Sequence, residues 1–465
     1  MSFISPEFAI IALLFFPIFW ALSSQKYFQK IFLLISSYAL YSTWSVEFAI
    51  ILLIYSSYIW MAGKWLNQNN PAKKIRLKLA ITSCLALATL FISKYYELSR
   101  TLLIDILPQL GLHSFLPVID FIAPAGISFF TFQAITYLVW QAQEKPSRTS
   151  FLDLLLYLSF WPTLFAGPIM RAKDFHEQLQ HPDFGRPKES AKAIYFIVLG
   201  LFQKIVLASW LSSTYVDQVF KYPDQQTTVS TMSGILGYSL QIFFDFSGYS
   251  LIVTGLALCL GLVLPINFQQ PLLARNIKDF WRRWHISLST FIRDFIYIPL
   301  GGNQHGFTRS QINIVIAMFI SGIWHGAGTG FAIWGLLHGI GLVGYNLFVA
   351  IYQKPLPSWL GVLLTICYVG ISWIFFRSNH LDTALIICKN LFLGTGVLQI
   401  NDLILLLFTG FFLWISMYSY SVEQKCLLFI GQRNLLMIIP ILTFILFVII
   451  LLGPSGVPGF IYYQF

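Results

Sequence analysis

A chain of 465 residues would on length alone suggest about three soluble domains, but its composition excludes that arrangement. Hydrophobic residues make up 57% of the chain and charged residues only 10%, whereas an ordinary globular protein has roughly a quarter of its residues charged. The net charge of +10 comes from 29 Lys and Arg residues scattered among the loops, which excludes a separate basic domain for nucleic acid. The composition therefore predicts an all-α polytopic membrane protein, because helices satisfy their own backbone hydrogen bonds in lipid.

Apolar stretches recur along the chain and predict on the order of ten membrane crossings joined by short loops. They are residues 8–22, 31–41, 48–61, 79–92, 151–164, 193–210, 232–264, 312–323, 331–350, 359–376, 403–418 and 435–452. Several contain only 11 to 14 residues, whereas a perpendicular span needs about 20. Such short stretches are typical of interfacial, re-entrant or buried helices, so irregular pieces are expected inside the helical core.

The distribution of cations predicts the topology, since positively charged loops stay in the cytoplasm. Residues 1–7 carry no cation, while Lys26 and Lys30 follow the first apolar stretch, so we expect the N-terminus on the extracytoplasmic side. If Arg433 is cytoplasmic, the last apolar stretch carries the chain outward and the aromatic tail 454–465 is extracytoplasmic. The segments rich in cations, which we place at the cytoplasmic face, are 64–78, 171–192, 275–293 and 425–433.

Five cysteines, an odd number without a CxxC pair, lie in or beside apolar stretches and are interpreted as buried thiols. They are Cys84, Cys259, Cys367, Cys388 and Cys426. The sequence HEQLQH places His176 and His181 five residues apart instead of the four that a zinc-protease helix requires, so no metal site is predicted. The sequence contains neither a GxxxxGKS/T phosphate loop nor a GxSxG elbow, which leaves ATP hydrolysis and serine-esterase chemistry without support.

His325 lies in SGIWHGAG, an apolar and glycine-rich setting without a carboxylate nearby in the sequence. An imidazole is costly to bury in lipid, so this side chain must face the protein interior or water, and intramembrane ionisable groups are candidates for function. The alternative is a core histidine that is hydrogen-bonded to a carbonyl group. His338 faces another direction if the helix is continuous, and it is predicted to be structural. Four glycines favour a functional His325, because they thin the helix where a substrate could approach. They are Gly322, Gly326, Gly328 and Gly330.

The segment NIKDFWRRWHISLSTFIRDFIYIPL, residues 276–300, predicts an amphipathic helix that lies in the membrane interface. Its cations are interpreted as a surface for the phosphates of an anionic donor, with His285 nearby, or equally as contacts with anionic lipid headgroups. These cations are Lys278, Arg282, Arg283 and Arg293. The apolar stripe of the predicted helix consists of Trp281, Trp284, Leu288, Phe291, Ile292 and Phe295.

Two further charges, Lys204 in LFQKIVL and Asp245 in QIFFDFSGYS, lie within apolar stretches. They can pair with each other across helices, which is the interpretation that we favour for Lys204. Asp245 can instead orient a ligand or a histidine.

The chain ends in the aromatic sequence PSGVPGFIYYQF. Such a tail is typical of an interfacial anchor. A functional interpretation uses its length, because the nine steps from Gly453 to Tyr462 cover roughly 30 Å when extended. That length is enough for the tail to fold back toward a histidine at the membrane midplane.

Six segments of this sequence, taken in order, resemble the membrane-bound O-acyltransferases. Within that family they are similar to the bacterial cell-envelope branch, which contains alginate O-acetylases, peptidoglycan O-acetyltransferases and teichoic acid D-alanyltransferases. The segments are PAGISFFTFQAITY, FWPTLFAGPIMRAKDF, FDFSGYS, residues 265–303, SGIWHGAG and FIYYQF, and the resemblance covers most of the chain from about Pro124 onward. Trp140 and Leu251 depart from it, since similar proteins usually have Asp there, so the motifs do not assign the glycan.

The resemblance implies a ring of about 11 transmembrane helices around a thinned centre, in which a cytoplasmic and an extracytoplasmic funnel meet at His325. It also implies that His285 lines the cytoplasmic side and that Tyr462 carries the acyl group. Asp245 and Trp324 are interpreted as supporting residues. The expected location is a bacterial cytoplasmic membrane.

The expected function is acetyl transfer from cytoplasmic acetyl-CoA, as a substrate and not as a bound cofactor, to an extracytoplasmic polysaccharide. His325 would act as the general base. One membrane-embedded domain over residues 1–465 leaves almost no extracytoplasmic part, so an esterase-like partner protein is expected to bind the polymer. The alternatives are D-alanyl transfer from a carrier-protein thioester, a transporter or flippase with a charge relay, and a membrane scaffold.

Overall fold

The computed structural model describes residues 3–68, 71–110, 123–144 and 149–454. Within these ranges the chain forms helices and loops without a β-strand, which confirms the predicted all-α class. Eight helical stretches of the described residues are long and apolar enough to cross a membrane, so this is a multi-pass membrane protein. The eight are Pro6–Ser24, Val46–Leu66, Ala72–Thr101, Ser190–Lys221, Thr228–Cys259, Thr329–Tyr352, Ser358–Arg377 and Ile400–Met417. The ring of about 11 spans and the single domain over the whole chain stay predictions.

The first of two compact units contains Met1–Ala193 and Leu256–Pro265. Serine side chains cap several of its helices: Ser5 Oγ accepts a hydrogen bond from the amide of Phe8 at 3.3 Å, and Ser45 Oγ accepts one from the amide of Phe48 at 3.2 Å. Its helices are α1 (Pro6–Ala21), α2 (Lys26–Ser42), α3 (Val46–Leu66), α4 (Ala72–Ile106), α5 (Ile127–Glu144), α6 (Phe151–Ser159), α7 (Trp161–Leu164) and α8 (Ala172–Gln180).

Polar side chains inside the first unit are paired with one another. Lys30 Nζ lies 2.7 Å from Asp153 Oδ1, and Gln180 Nε2 donates a hydrogen bond to Asp153 Oδ2 at 3.0 Å. These contacts join α2, α6 and α8. They satisfy a buried carboxylate that would otherwise be costly to remove from water.

The second unit contains Ile194–Gly255 and Ile266–Phe465. Two π-helical segments, Phe202–Ala208 and Ser212–Val216, connect its first three helices into one continuous helical stretch. A π turn disrupts the regular backbone pairing and often marks a functional position. The helices are α9 (Ser190–Leu201), α10 (Ser209–Leu211), α11 (Asp217–Lys221), α12 (Thr228–Cys259), α13 (Ile277–Arg283), α14 (Ile286–Ile292), α15 (Gly306–His325), α16 (Thr329–Tyr352), α17 (Ser358–Arg377), α18 (Leu381–Leu393), α19 (Ile400–Met417), α20 (Ser419–Gln432) and α21 (Leu435–Leu452).

Buried aromatic side chains form the core of the second unit. Trp373 of α17 contacts Tyr238 of α12, Trp334 of α16 and Trp284, which follows α13. Large rings bury more apolar area than any other side chains, so this cluster contributes strongly to the stability of the unit. The candidate site lies within the same core.

Two of the short apolar stretches belong to longer helices than expected. Stretches 48–61 and 79–92 continue through more polar residues into α3 and α4, which are candidate spans. By contrast, stretch 151–164 is interrupted at Phe160, between α6 and α7. Helical hydrogen bonding does not stop where hydrophobicity stops, so apolar length alone underestimates some spans.

The interpretation of the cysteines as buried thiols is wrong. Cys84 and Cys367 are exposed on the surface of the protein, and Cys259, Cys388 and Cys426 are partly exposed. A membrane helix can be apolar on every face, because both lipid and the protein core accept apolar side chains. A position within an apolar stretch therefore does not establish that a thiol is buried in protein.

Candidate active site

His325 lies at the turn between α15 and α16. It is the last residue of α15, Gly326 continues in extended conformation, and α16 begins at Thr329. The imidazole is buried, with only 3% of the residue exposed. The end of a long helix thus places a titratable ring inside the protein, as its sequence setting predicts.

The glycines near this histidine allow neighbouring helices to pack closely. A Cβ atom on Gly322 would lie 2.9 Å from the Cα atom of Gly335, and one on Gly326 would overlap the ring of Phe331. Gly330 makes a similarly close approach to the backbone of α17. The expectation that these glycines leave room for a substrate is therefore wrong for these three positions. They allow α15, α16 and α17 to approach one another closely.

Aromatic rings surround the imidazole of His325. Ring centroids lie 4.7 Å away for Trp324, 5.1 Å for both Trp334 and Phe376, and 6.4 Å for Phe331. The expectation that a cytoplasmic and an extracytoplasmic funnel meet at this ring stays a prediction.

His338 of α16 has both ring nitrogens in hydrogen bonds. Trp281 Nε1 donates to Nδ1 at 3.2 Å, so the proton of the neutral ring lies on Nε2. Nε2 lies 3.0 Å from Ser372 Oγ, which in turn donates to the carbonyl of Val369 at 2.7 Å. This chain of bonds joins α13, α16 and α17 and fits the structural role predicted for His338.

The segment 276–300 is not the single amphipathic helix that its apolar stripe predicts. α13 ends at Arg283, α14 begins at Ile286, and His285 between them has φ 41°, in the left-handed region. The amide of Ile286 donates to the carbonyl of Asn267 at 2.9 Å, so this backbone pairs with a preceding loop instead of continuing the helix. A non-glycine residue in this conformation is uncommon and carries strain, which is frequent at functional positions.

Asn267 determines which nitrogen of His285 carries the proton. Asn267 Oδ1 lies 3.2 Å from His285 Nδ1 and also accepts a hydrogen bond from Ser287 Oγ at 2.8 Å. The side-chain nitrogen Nδ2 of Asn267 donates a hydrogen bond to Ser250 Oγ at 3.3 Å, which fixes the orientation of the side-chain amide. His285 therefore donates from Nδ1, and Nε2 carries the lone pair.

The His285 ring is 1% exposed and lies edge-on to Phe246 at 4.7 Å. This burial lowers the pKa of His285 to about 3. The ring is therefore neutral at physiological pH. It can donate or accept a hydrogen bond, but it cannot act as a cation for a phosphate group.

Aromatic contacts connect the two histidines of the predicted site. Trp284, the neighbour of His285, lies 5.3 Å from Trp373, and Trp373 stacks on Trp334 at 5.6 Å. Trp334 in turn contacts the His325 ring. The fold thus brings His285 and His325 into one aromatic core.

The four predicted donor-binding cations differ in their partners. Arg283 and Arg293 each form an ion pair with an aspartate near them in sequence, at 2.8 and 2.7 Å. Lys278 and Arg282 are exposed, lie one turn apart on α13 and form no ion pair with the described residues. These two are therefore the better candidates for binding an anion.

Lys204 and Asp245 form a buried ion pair between the first π-helical segment and α12. Their side chains are 3% and 8% exposed. This contact confirms the pairing that the sequence suggested. Asp245 compensates a buried cation, which is a structural task.

Tyr462 lies outside the described residues, as do residues 455–465 of the predicted tail. The sequence interpretation missed three residues of this core: Asn267 contacts His285, Trp334 contacts His325, and Trp373 contacts both Trp284 and Trp334. Asn267 belongs to the motif PINFQQ, so the resemblance contained a signal for it. Nothing in the sequence distinguishes Trp334 and Trp373 from the other residues of their apolar stretches.

The fold defines an all-α, multi-pass membrane protein with titratable histidines buried inside its helices, a class that includes membrane enzymes and transporters. A model of the membrane-bound O-acyltransferase (MBOAT) family matches residues 18–377. The chain therefore belongs to the membrane-bound O-acyltransferases, and it is an O-acyltransferase.

Curated relatives include acetyltransferases and aminoacyl transferases of the cell envelope. The chain is 31% identical over 407 residues to a peptidoglycan O-acetyltransferase of Helicobacter pylori, covering 81% of this chain and 76% of that protein. It is 32% identical over 430 residues to a probable alginate O-acetylase of Pseudomonas aeruginosa, covering 90% of this chain and 80% of that protein. It is 31% identical over 279 residues to a teichoic acid D-alanyltransferase of Streptococcus thermophilus, covering 54% of this chain and 67% of that protein.

Proposed function

We propose that this protein takes an acetyl group from cytoplasmic acetyl-CoA and passes it outward for O-acetylation of a polysaccharide of the peptidoglycan or alginate type. We favour acetyl over D-alanyl transfer because the similarity to the two acetylases extends over more of this chain, 81% and 90%. The similarity to the D-alanyltransferase extends over 54%. The proposed location is a bacterial inner membrane, with the N-terminus and the tail outside.

His325 is proposed as the general base, and Tyr462 as the residue that carries the acetyl group. In the first step the phenol oxygen of Tyr462 attacks the thioester carbonyl while His325 accepts the phenol proton. The carbon–sulfur bond breaks, and the leaving thiolate takes the proton from the histidinium. In the second step a hydroxyl of the acceptor attacks the tyrosine ester and restores the phenol. A partner protein that binds the polymer presents this acceptor.

The aromatic rings around His325 support a closed reaction site. Trp334 and Phe376 pack against the imidazole, and only 3% of His325 is exposed. Exclusion of water prevents hydrolysis of a reactive thioester or ester and strengthens the electrostatic contacts inside the site. The donor is proposed to displace one of these rings as it enters.

The proposal is tested by incubating the purified protein with isotopically labelled acetyl-CoA and, separately, with a D-alanyl carrier protein. Label on the protein from acetyl-CoA alone is the expected result, measured by mass spectrometry. Label from the carrier protein alone would assign the D-alanyl reaction instead. Movement of a substrate across the membrane without any covalent product would identify a transporter.

The change Tyr462→Phe is expected to abolish acetyl transfer and to leave donor binding intact, because only the attacking hydroxyl is removed. Peptide mass spectrometry of the labelled protein locates the acetyl group, and Tyr463→Phe is the matched control on the adjacent residue. Full transfer by Tyr462→Phe, or label that is absent from the tail under every condition, would leave the tail as an anchor only.

The double change Lys278→Gln and Arg282→Gln is expected to weaken acetyl-CoA binding about a hundredfold or more, since each of the two lost charge-assisted hydrogen bonds contributes about 1.5–3 kcal/mol. Calorimetric titration at several salt concentrations measures the affinity and its salt dependence, which should both fall. Arg309→Gln removes an exposed cation from α15 and serves as the control. Unchanged affinity in the double variant would assign the pair to lipid headgroups.

A further inference from the structure

A groove with a volume of about 620 Å³ lies between α16 and α17 and reaches the start of α13. This volume is within the range of roughly 300–1,000 Å³ that is usual for ligand sites. Ile340, Phe348 and Leu364 line its length. Ile340 is 57% and Leu364 50% exposed, so the groove opens outward. Because α16 and α17 are both candidate spans, it opens toward the lipid.

Gly344 of α16 forms part of the groove wall. A Cβ atom at this position would meet nothing within 4 Å, whereas one on Gly341, one turn earlier, would overlap the ring of Tyr368. Gly341 is thus required for helix packing, but Gly344 is not. The missing side chain of Gly344 instead adds space to the groove.

Two cations lie beside the groove or next in sequence to a residue that lines it. Arg275 lines it, and Lys354 precedes Pro355, which lines it as well. Neither cation forms an ion pair with the described residues, and both are exposed. The adjacent carboxylate, Asp279, already binds Arg283 at 2.8 Å. The end of the groove is therefore positively charged.

The position of Arg275 is defined by the fold. The amide of Arg275 donates to Asp279 Oδ2 at 3.1 Å, and α17 packs against the Arg275 carbonyl through Gly361, where a Cβ atom would overlap it. These contacts hold the backbone of the arginine at the end of the groove. A positively charged end beside an apolar channel matches an anionic headgroup followed by an acyl chain.

We propose that this groove binds one anionic phospholipid of the bilayer, with its phosphate on Arg275 and Lys354 and one acyl chain along Gly344, Phe348 and Leu364. The proposal does not depend on the acetyl-transfer chemistry, since none of these residues belongs to the candidate active site. It assigns a lipid-binding site to the outer face of the helices that enclose that site.

The test is native mass spectrometry of the full-length protein, delipidated and then titrated with phosphatidylglycerol or phosphatidylcholine of the same chain length. We expect one phosphatidylglycerol to be retained under collision conditions that remove phosphatidylcholine. Arg275→Gln should reduce the retained fraction at least fivefold through loss of the charge, and Gly344→Leu should do so by filling the groove. Gly410→Leu is the matched control, because Gly410 is also an exposed helical glycine with open space around it, on α19.

Equal retention of the two lipids by the unaltered protein would overturn the proposal and would leave only bulk lipid contacts. Retention that is unchanged in Gly344→Leu would exclude the groove as the acyl-chain site. Displacement of phosphatidylglycerol by free CoA would assign Arg275 to the acyl donor. Thermal unfolding of each variant verifies folding, and replacing a helical glycine that has open space should not lower stability.

Discussion

The change His325→Ala is expected to abolish acetyl transfer while the protein remains folded. Removal of a general base typically lowers the rate about 10²–10⁴-fold, and here no other group is proposed to accept the proton. Transfer is measured as label from acetyl-CoA that reaches the protein tail or the polymer. Thermal unfolding of the same preparation checks that the aromatic core has survived loss of the ring.

The matched control for this prediction is His380→Ala, because His380 is an exposed histidine in the same compact unit. It is expected to leave transfer and the unfolding temperature unchanged. If His325→Ala retains most of the activity, His325 is not the base. It would then be a core histidine whose ring packs against Trp324 and Trp334.

The change Lys204→Met is expected to destabilise the protein by about 3–5 kcal/mol, because it leaves the carboxylate of Asp245 buried without its cation. Replacing both residues, as Lys204→Met with Asp245→Leu, should restore most of that stability, since two apolar side chains of similar volume require no hydration. Thermal unfolding in detergent, followed by tryptophan fluorescence, measures the three proteins.

An exposed ion pair provides the control for the buried one. Lys173 and Glu144 lie 3.0 Å apart with about half of each side chain exposed, at 46% and 49%. Lys173→Met should therefore change stability by less than about 1 kcal/mol. Equal unfolding temperatures for Lys204→Met and Lys173→Met would show that the buried pair is not a stabilising contact. Normal stability with lost acetyl transfer would instead indicate that the pair acts in the reaction.

The parts of the candidate site that could be predicted are those that stand out against their local sequence. His325, Lys204 and Asp245 are polar groups within apolar stretches, and lipid tolerates such groups only when the protein encloses them. The structure places all three in the interior, with Lys204 on Asp245. The chemical roles of His325 and His285 remain proposals, since burial alone does not define a reaction.

Other parts of the site could not be predicted because they depend on residues that are remote in the chain. The apolar stripe of segment 276–300 indicates one helix, but a hydrogen bond from Ile286 to the Asn267 carbonyl accompanies a break at His285. Likewise, the sequence around Gly322 does not indicate that this residue packs against Gly335 of the next helix. A periodic pattern describes one segment at a time and contains no information about its neighbours.

By itself, the sequence determined that this protein is helical and crosses the membrane several times, because hydrophobicity and backbone hydrogen bonding act locally along the chain. Its motifs also indicated the acyltransferase family. Only the tertiary structure decided that His325 is enclosed by aromatic rings, that Arg283 and Arg293 are already paired, and that an open groove follows α16. These features arise where separate helices meet, and close packing between helices depends on the shapes of both surfaces.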